Sequence, residues 1–209
     1  PFYGSAGGWR FNNADLGLFV FQYGLDLVDL VGWQAPSEVD LWAEARIAAL
    51  ANRQVCRDYA DRFVTYRRHW GLSAGDGPGE GGASHAYRSY SPGRPIDGTA
   101  HLTASVASVA HVPEQVLENV YQAQHDRRNA MRGAYGFSNV NLDRGWIAGD
   151  MVGIDAGAAA LALDNFLMNG RVRSVFHAVP CVATALERLG FQRRRLGGES
   201  MPPAAPAAA

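Results

Sequence analysis

Four aspartates in glycine-rich stretches of this 209-residue chain follow aromatic residues. Asp76 follows Trp70, Asp97 follows Tyr87 and Tyr90, and Asp150 and Asp155 follow Trp146. A carboxyl group can give or take a proton. Two of them across a glycosidic bond are the equipment for breaking it. Flat rings pack well on the C–H faces of sugars. The combination is one that glycoside chemistry could use. Asp155 is the first candidate for a catalytic carboxylate. Asp76, Asp97, Asp150, Trp70, Trp146 and Tyr87 are candidate substrate contacts.

Each candidate also has a plain structural reading. Asp155 precedes Ala156-Gly157-Ala158 where a helix is predicted to start, and Asp is a favoured N-cap. A capping carboxylate feels the helix dipole, which favours the ionised form and suits a base rather than an acid. Asp76 in Gly75-Asp76-Gly77-Pro78 and Asp97 before Gly98 fit Asx-type turns. On a regular helix Asp164 is about half a turn out of phase with Asp155. Asp164 and Asn165 therefore read as ties to a neighbouring element. Trp33 and Trp42 read as core.

Other chemistries find little support. The six histidines are scattered with no paired ligand spacing, so no metal is expected. There is no Gly-x-Ser-x-Gly elbow. The glycine-rich loop lacks a phosphate-binding lysine, and lysine is absent from the whole chain. No cofactor is expected. A net charge of -1 gives no footprint for nucleic acid. No run of about 18 apolar residues is present to span a membrane. Cys56 and Cys181, both in apolar helical contexts, read as buried free thiols.

The elements that must position these groups read as helices. Apolar residues recur at helical spacing from Asp15 to Val31, with Asp15 as N-cap, and from Ser37, as N-cap, to Arg68. Further helices are predicted at Pro113–Met131, Asp155–Met168 and Val172–Leu189. A short apolar segment lies at Leu102–Ala110. The stretches Gly71–Gly98 and Gly133–Gly153 read as long irregular loops that carry the candidate residues. No alternating run is long enough for a strand, so the expected class is all-α. Residues 192–209, with Arg193-Arg194-Arg195 and then Pro and Ala, read as a disordered tail.

Several blocks, in order, resemble one bacterial family. Trp70-Gly71-Leu72-Ser73-Ala74-Gly75-Asp76-Gly77-Pro78 resembles a signature of the glucoamylase-like domain. So do Asp97-Gly98-Thr99 with Ser105-Val106-Ala107-Ser108 and Pro113-Glu114, then Tyr135-Gly136-Phe137 and Trp146. Val152-Gly153-Ile154-Asp155-Ala156-Gly157, Asp164-Asn165 and Leu189-Gly190-Phe191 complete the series. The resemblance spans about Leu16 to Phe191.

The resemblance implies an (α/α)6 toroid of helical hairpins, with residues 1–191 as about its C-terminal half. It implies a glycoside hydrolase or transglycosylase acting on β-linked glucan, β-1,2-glucan foremost, since relatives include endo-β-1,2-glucanases and the glucan-processing domain of cyclic β-1,2-glucan synthases. It also implies a periplasmic or secreted setting, an oligo- or polysaccharide substrate, and the N-terminal half of the same domain as partner. That half would supply the second carboxyl group. The chain departs from the pattern at Ala156 and Ala158, where relatives carry Gln and Pro. It departs again at Asp164 for Glu, at Phe166 for Tyr, and at Gln22, where relatives often carry Glu. An amide cannot ionise, so a carbohydrate-binding remnant is the rival to an enzyme. A structural half-domain is the third reading.

Overall fold

The computed structural model describes residues 3–81, 84–126 and 131–193. The expected tail from Arg194 onward lies outside them. Two early strands, β1 (Tyr3–Ala6) and β2 (Trp9–Asn12), form a hairpin. A 3-10 turn at Leu18–Phe21 leads to a short helix α1 (Tyr23–Leu27), then β3 (Trp33–Gln34) and the long helix α2 (Leu41–Asp58). A hairpin of β4 (Ala74–Pro78) and β5 (His85–Ser89) follows, then β6 (Ala100–His101), α3 (Leu102–Val106) and α4 (Pro113–His125). Short strands β7 (Arg132–Gly133), β8 (Gly136–Phe137), β9 (Asn139–Asn141) and β10 (Trp146–Ile147) precede α5 (Gly153–Leu167), α6 (Arg171–His177) and α7 (Pro180–Arg188). Last is β11 (Gln192–Arg193), which pairs with β3.

The chain is therefore not all-α, and the expectation of helical hairpins throughout is corrected. The described residues hold five small sheets, one of them three-stranded in the order β10-β9-β6. Strands β4, β5, β8, β9 and β10 lie inside the stretches read as irregular loops. All the strands are short, two to five residues long. Such segments pair because buried backbone N–H and C=O groups need partners, not because a side-chain pattern announces them.

The first predicted helix is also broken. Gln22 stands at the junction of the 3-10 turn and α1, and its buried amide donates to the Ala104 carbonyl at 2.7 Å and the Ser108 hydroxyl at 3.0 Å. The predicted caps move too. Asp40, not Ser37, caps α2, accepting from the Ala43 N–H at 3.0 Å. Asp15 lies outside any helix.

The main core gathers Leu18, Trp70, Leu72, Leu102, Val116 and Ala162 around α3, whose five residues are all buried. Cys56 is buried and Cys181 exposed, and both are free thiols. Two asparagines pin the segment that enters the glycine-rich motif. Asn52 of α2 accepts from the Leu72 N–H at 2.8 Å and donates to its carbonyl at 3.0 Å, as a neighbouring strand would. Asn119 of α4 donates to the Ser105 hydroxyl at 2.7 Å and reaches the Trp70 carbonyl at 3.3 Å. Asp164 pairs with Arg171, and Asn165 donates to the Asp26 carbonyl at 2.8 Å. These residues tie α5 to α6 and α1.

Candidate active site

The β4–β5 hairpin, the 3-10 turn with α1, and the start of α5 converge on Asp155. In the hairpin register Asp76 lies opposite Tyr87. Asn139 of β9 holds β4 by donating to the Asp76 carbonyl at 3.1 Å. One cavity of about 130 Å³ is lined by Phe19, Gln22, Tyr23, Tyr87 and Asp155 among others. A second, narrower one shares Asp155 and adds Asp76, Thr103, Asn139 and Asp150. Asp155 thus stands at the junction of two clefts.

Asp155 does not cap its helix. Val152 is the N-cap, and no side chain bonds there. Asp155 is the third residue of α5 and turns its carboxyl into the clefts. Burial and the neighbouring Asp76 charge push its pKa up, to about 6. Both causes disfavour the charged form. The argument for a permanently ionised base, which rested on capping, therefore fails. A carboxyl near 6 exchanges a proton close to neutral pH, which suits acid–base work in either direction. The hydroxyls of Tyr23 and Tyr87 are raised by burial and then, among other causes, by the Asp155 charge. Tyr23 also donates to the Ile154 carbonyl, fixing α1 against the helix start.

The predicted contacts divide. Asp76, Asp150 and Tyr87 gather around Asp155. Asp76 is buried, whereas Tyr87 is 55% exposed and free to meet a ligand. Trp70 is not available as a sugar platform. It is 3% exposed, sits in the core, and its indole N–H points at the Gln115 carbonyl, 3.4 Å away. Trp146 lines neither cleft; its indole N–H donates to the Ser84 carbonyl at 3.0 Å. Asp97 also lies outside the clefts. It accepts from the Thr99 N–H at 2.9 Å, closing the turn that precedes β6.

Gln22, flagged as a departure from the family pattern, lines this region with Tyr23, Ser73 and Thr103, and His101 lies beneath Gly75. Thr103 and His101 were not singled out as site residues, since the fold brings them from separate elements. Gln22 has a role that a carboxylate could not fill, because both of its bonds are donated. Its presence therefore does not by itself signal lost chemistry. Asp76, His85 and Asp150 each bring a donor atom within 4.8 Å of the others. Two of the three are exposed, and three donors fall short of a closed four-ligand site. The same groups can equally accept sugar hydroxyls.

A family model described as "Putative glucoamylase" matches residues 10–180. No curated protein matches the chain. Among solved structures, one from Bacteroides uniformis described in the same words is 27% identical, with a TM-score of 0.76 over 87% of this chain and 43% of that one. The endo-beta-1,2-glucanase from Chitinophaga pinensis, in complex with sophorotriose and glucose, is 24% identical with a TM-score of 0.80, covering 91% of this chain and 46% of that one. A beta-1,2-glucanase from Parabacteroides distasonis gives 20% identity and a TM-score of 0.72 over 83% and 24% of the two chains. The last two likenesses are of fold alone. The chain spans less than half the length of each of these structures. With most of its length matched by the family model, and with that fold, the chain belongs to the glucoamylase-like family.

Proposed function

We propose that this chain supplies one acid–base carboxylate and part of the sugar-binding wall of a glycoside hydrolase acting on β-linked glucan, with β-1,2-glucan as the substrate. The observation that carries this reading is Asp155. Its carboxyl is half-buried at the junction of two clefts, close enough to Asp76 to be held near a pKa of 6. Asp76 and Asp150 accept sugar hydroxyls, and Tyr87 offers an exposed ring. The second carboxyl comes from the part of the domain that this chain does not contain. The separation between the two then sets whether the anomeric centre is inverted or retained. The likeness to β-1,2-glucanases supports the choice of linkage. The test is turnover of a panel of β-glucans by the longest natural chain containing these residues. Cleavage of linear β-1,2-glucan above the others is the expected result. Binding without cleavage of any glucan would leave only the carbohydrate-binding reading.

The missing part of the domain has a place to dock. Helix α5 is apolar nearly all round, yet only Ala158, Ala159, Ala162 and Asn165 are buried. A helix of that composition belongs in an interior. Ile154, Leu163, Phe166 and Leu167 are left exposed. Beside them a groove of about 330 Å³ runs between Val106, Val120, Phe137, Met151 and Leu163. We assign this face to the N-terminal half of the same domain. Exposed apolar side chains beside an apolar groove promote association. Light scattering on the isolated chain should give a mass well above 22.5 kDa. Co-expression with the preceding segment should convert it to a one-to-one complex. A stable monomer that ignores that segment would refute the assignment.

A further inference from the structure

The narrower cleft beside Asp155 is acidic and carries no counter-charge. Asp76, Asp150 and Asp155 line it, and among the described residues no arginine does. Asp76 is the unusual member. It is only 6% exposed, yet its carboxylate accepts no hydrogen bond and joins no ion pair among the described residues. The Asn139 amide meets its backbone carbonyl instead. A buried carboxylate is ordinarily paired or bound to a metal.

Three donors converge at this point. A carboxylate oxygen of Asp76, one of Asp150 and a ring nitrogen of His85 all lie within 4.8 Å of one another. No hydrogen bond or ion pair joins any two of the three. They stand too far apart to satisfy each other directly and near enough to share one ion. Donors about 2.0–2.3 Å from a common metal lie about 3–4.5 Å from each other. The hairpin sets up the arrangement. Asp76 lies opposite Tyr87 and Pro78 opposite His85, so residues 76 and 85 are diagonal neighbours on one face of the β4–β5 ladder. The His85 Nδ1 lies 3.1 Å from the Ser84 hydroxyl, which steadies the ring and leaves Nε2 without a partner among the described residues. Asp150 enters from the turn between β10 and α5. No ligand spacing announces such a set, because its members come from three separate segments.

We propose that Asp76, His85 and Asp150 form an open site for one divalent transition-metal ion of the zinc and manganese type. The ligand chemistry selects the class. Carboxylates alone suit calcium or magnesium, whereas an imidazole beside them shifts the preference to zinc-like ions. Three protein ligands fall short of a closed site, but they are the usual count for one that keeps a position open to water or to a bound molecule. The ion also removes the repulsion between two carboxylates that face each other. One oxygen of each holds the metal, and the other stays free to accept a sugar hydroxyl. That use of the site rests on the glucan reading above, whereas the metal site does not.

The test needs no glucan and no turnover. Zn²⁺ and Mn²⁺ are titrated separately, by calorimetry, into the longest natural chain after chelator treatment. The exposed thiol of Cys181 takes zinc by itself in principle, so the chain carries Cys181→Ser. One ion per chain is expected, with the His85 ring nitrogens shifting in the NMR spectrum as zinc reaches that ratio. Affinity should fall by about tenfold or more in His85→Ala and in Asp150→Asn. Both residues are exposed, so neither substitution threatens the fold. His125→Ala, at an exposed histidine on α4 outside the cluster, should bind as the parent does. Absence of zinc binding, or binding that survives both substitutions unchanged, overturns the proposal. So does Ca²⁺ binding that matches zinc and ignores His85→Ala, which would leave an acidic patch and nothing more. A chain that binds zinc as expected but binds no glucan, with the ion or without it, would sink the functional reading and leave the metal site standing.

Discussion

Asp155→Asn in the longest natural chain is expected to lower kcat/KM on its glucan by about 10²–10⁴-fold, the range usual for losing one acid–base group. The carboxamide matches the carboxyl in size and can still bond within the cleft, but it cannot exchange a proton. Folding should survive. The Asp155 carboxyl has its folded pKa raised from 3.8 to about 6. A raised pKa means that its favourable contribution to stability is fully present below about 4 and is lost as pH rises through about 6. At pH 7 the native state therefore carries a disfavoured charge, which the amide removes. The substituted chain should be at least as stable as the parent there, and should still bind glucan. Asp97→Asn makes the control, since Asp97 lies outside both clefts and its Thr99 bond needs only a carbonyl oxygen. Kinetics on the two variants decide the matter. Equal losses, or none for Asp155→Asn, would remove Asp155 from the chemistry.

The legibility of this chain followed the length of its elements. Helices α2, α4 and α5 run for 18, 13 and 15 residues, long enough for a 3.6-residue period to stand out. The strands were invisible for the opposite reason. Strand β4 is Ala-Gly-Asp-Gly-Pro, which has almost no side-chain alternation, and it exists because β5 and Asn139 satisfy its backbone. The predicted helix from Asp15 to Val31 failed at Gln22, whose amide finds its partners eighty residues away and more on α3 and beyond it.

The site was half legible. Carboxylates near rings drew attention to Asp76, Asp150, Tyr87 and Asp155, which the fold distributes over two adjoining clefts. Sequence could not say that Trp70 points inward, because an indole that fills a core and one that faces a sugar look alike in one dimension. Nor could it reach the electrostatics of Asp155. A carboxyl near a helix start reads as a cap, whereas the fold buries it beside Asp76 and raises its pKa to about 6.

The same packing makes Gly71→Ala the substitution expected to damage the fold most. Gly71 has φ of +131°, where a side chain is strained in any surroundings, at about 1–3 kcal/mol. Its Cβ would also lie 2.3 Å from the His101 carbonyl oxygen. That oxygen belongs to backbone and cannot swing aside as a side chain could. Moving β6 away would break the 2.8 Å bond from the His101 N–H to Gly71, worth about 1 kcal/mol net. Moving residue 71 instead would disturb the Asn52 and Asn119 bonds on either side of it. Together these predict a loss of about 3–5 kcal/mol, a large share of the 5–15 kcal/mol typical of a domain. Because His101 and Gly75 ride on this junction, the cleft around Asp155 should loosen before the whole domain unfolds, so activity should fall even in preparations that remain folded. Gly24→Ala is the matched control. It lies in α1 at ordinary φ with nothing within 4 Å of its would-be Cβ, and alanine there should be neutral or slightly stabilising. Urea melts of the two variants, followed by fluorescence, read the difference. If Gly71→Ala unfolds within 1 kcal/mol or so of the parent, then the close contact between residue 71 and β6 does not govern the stability of this junction, and the signature glycine must be explained by something other than packing.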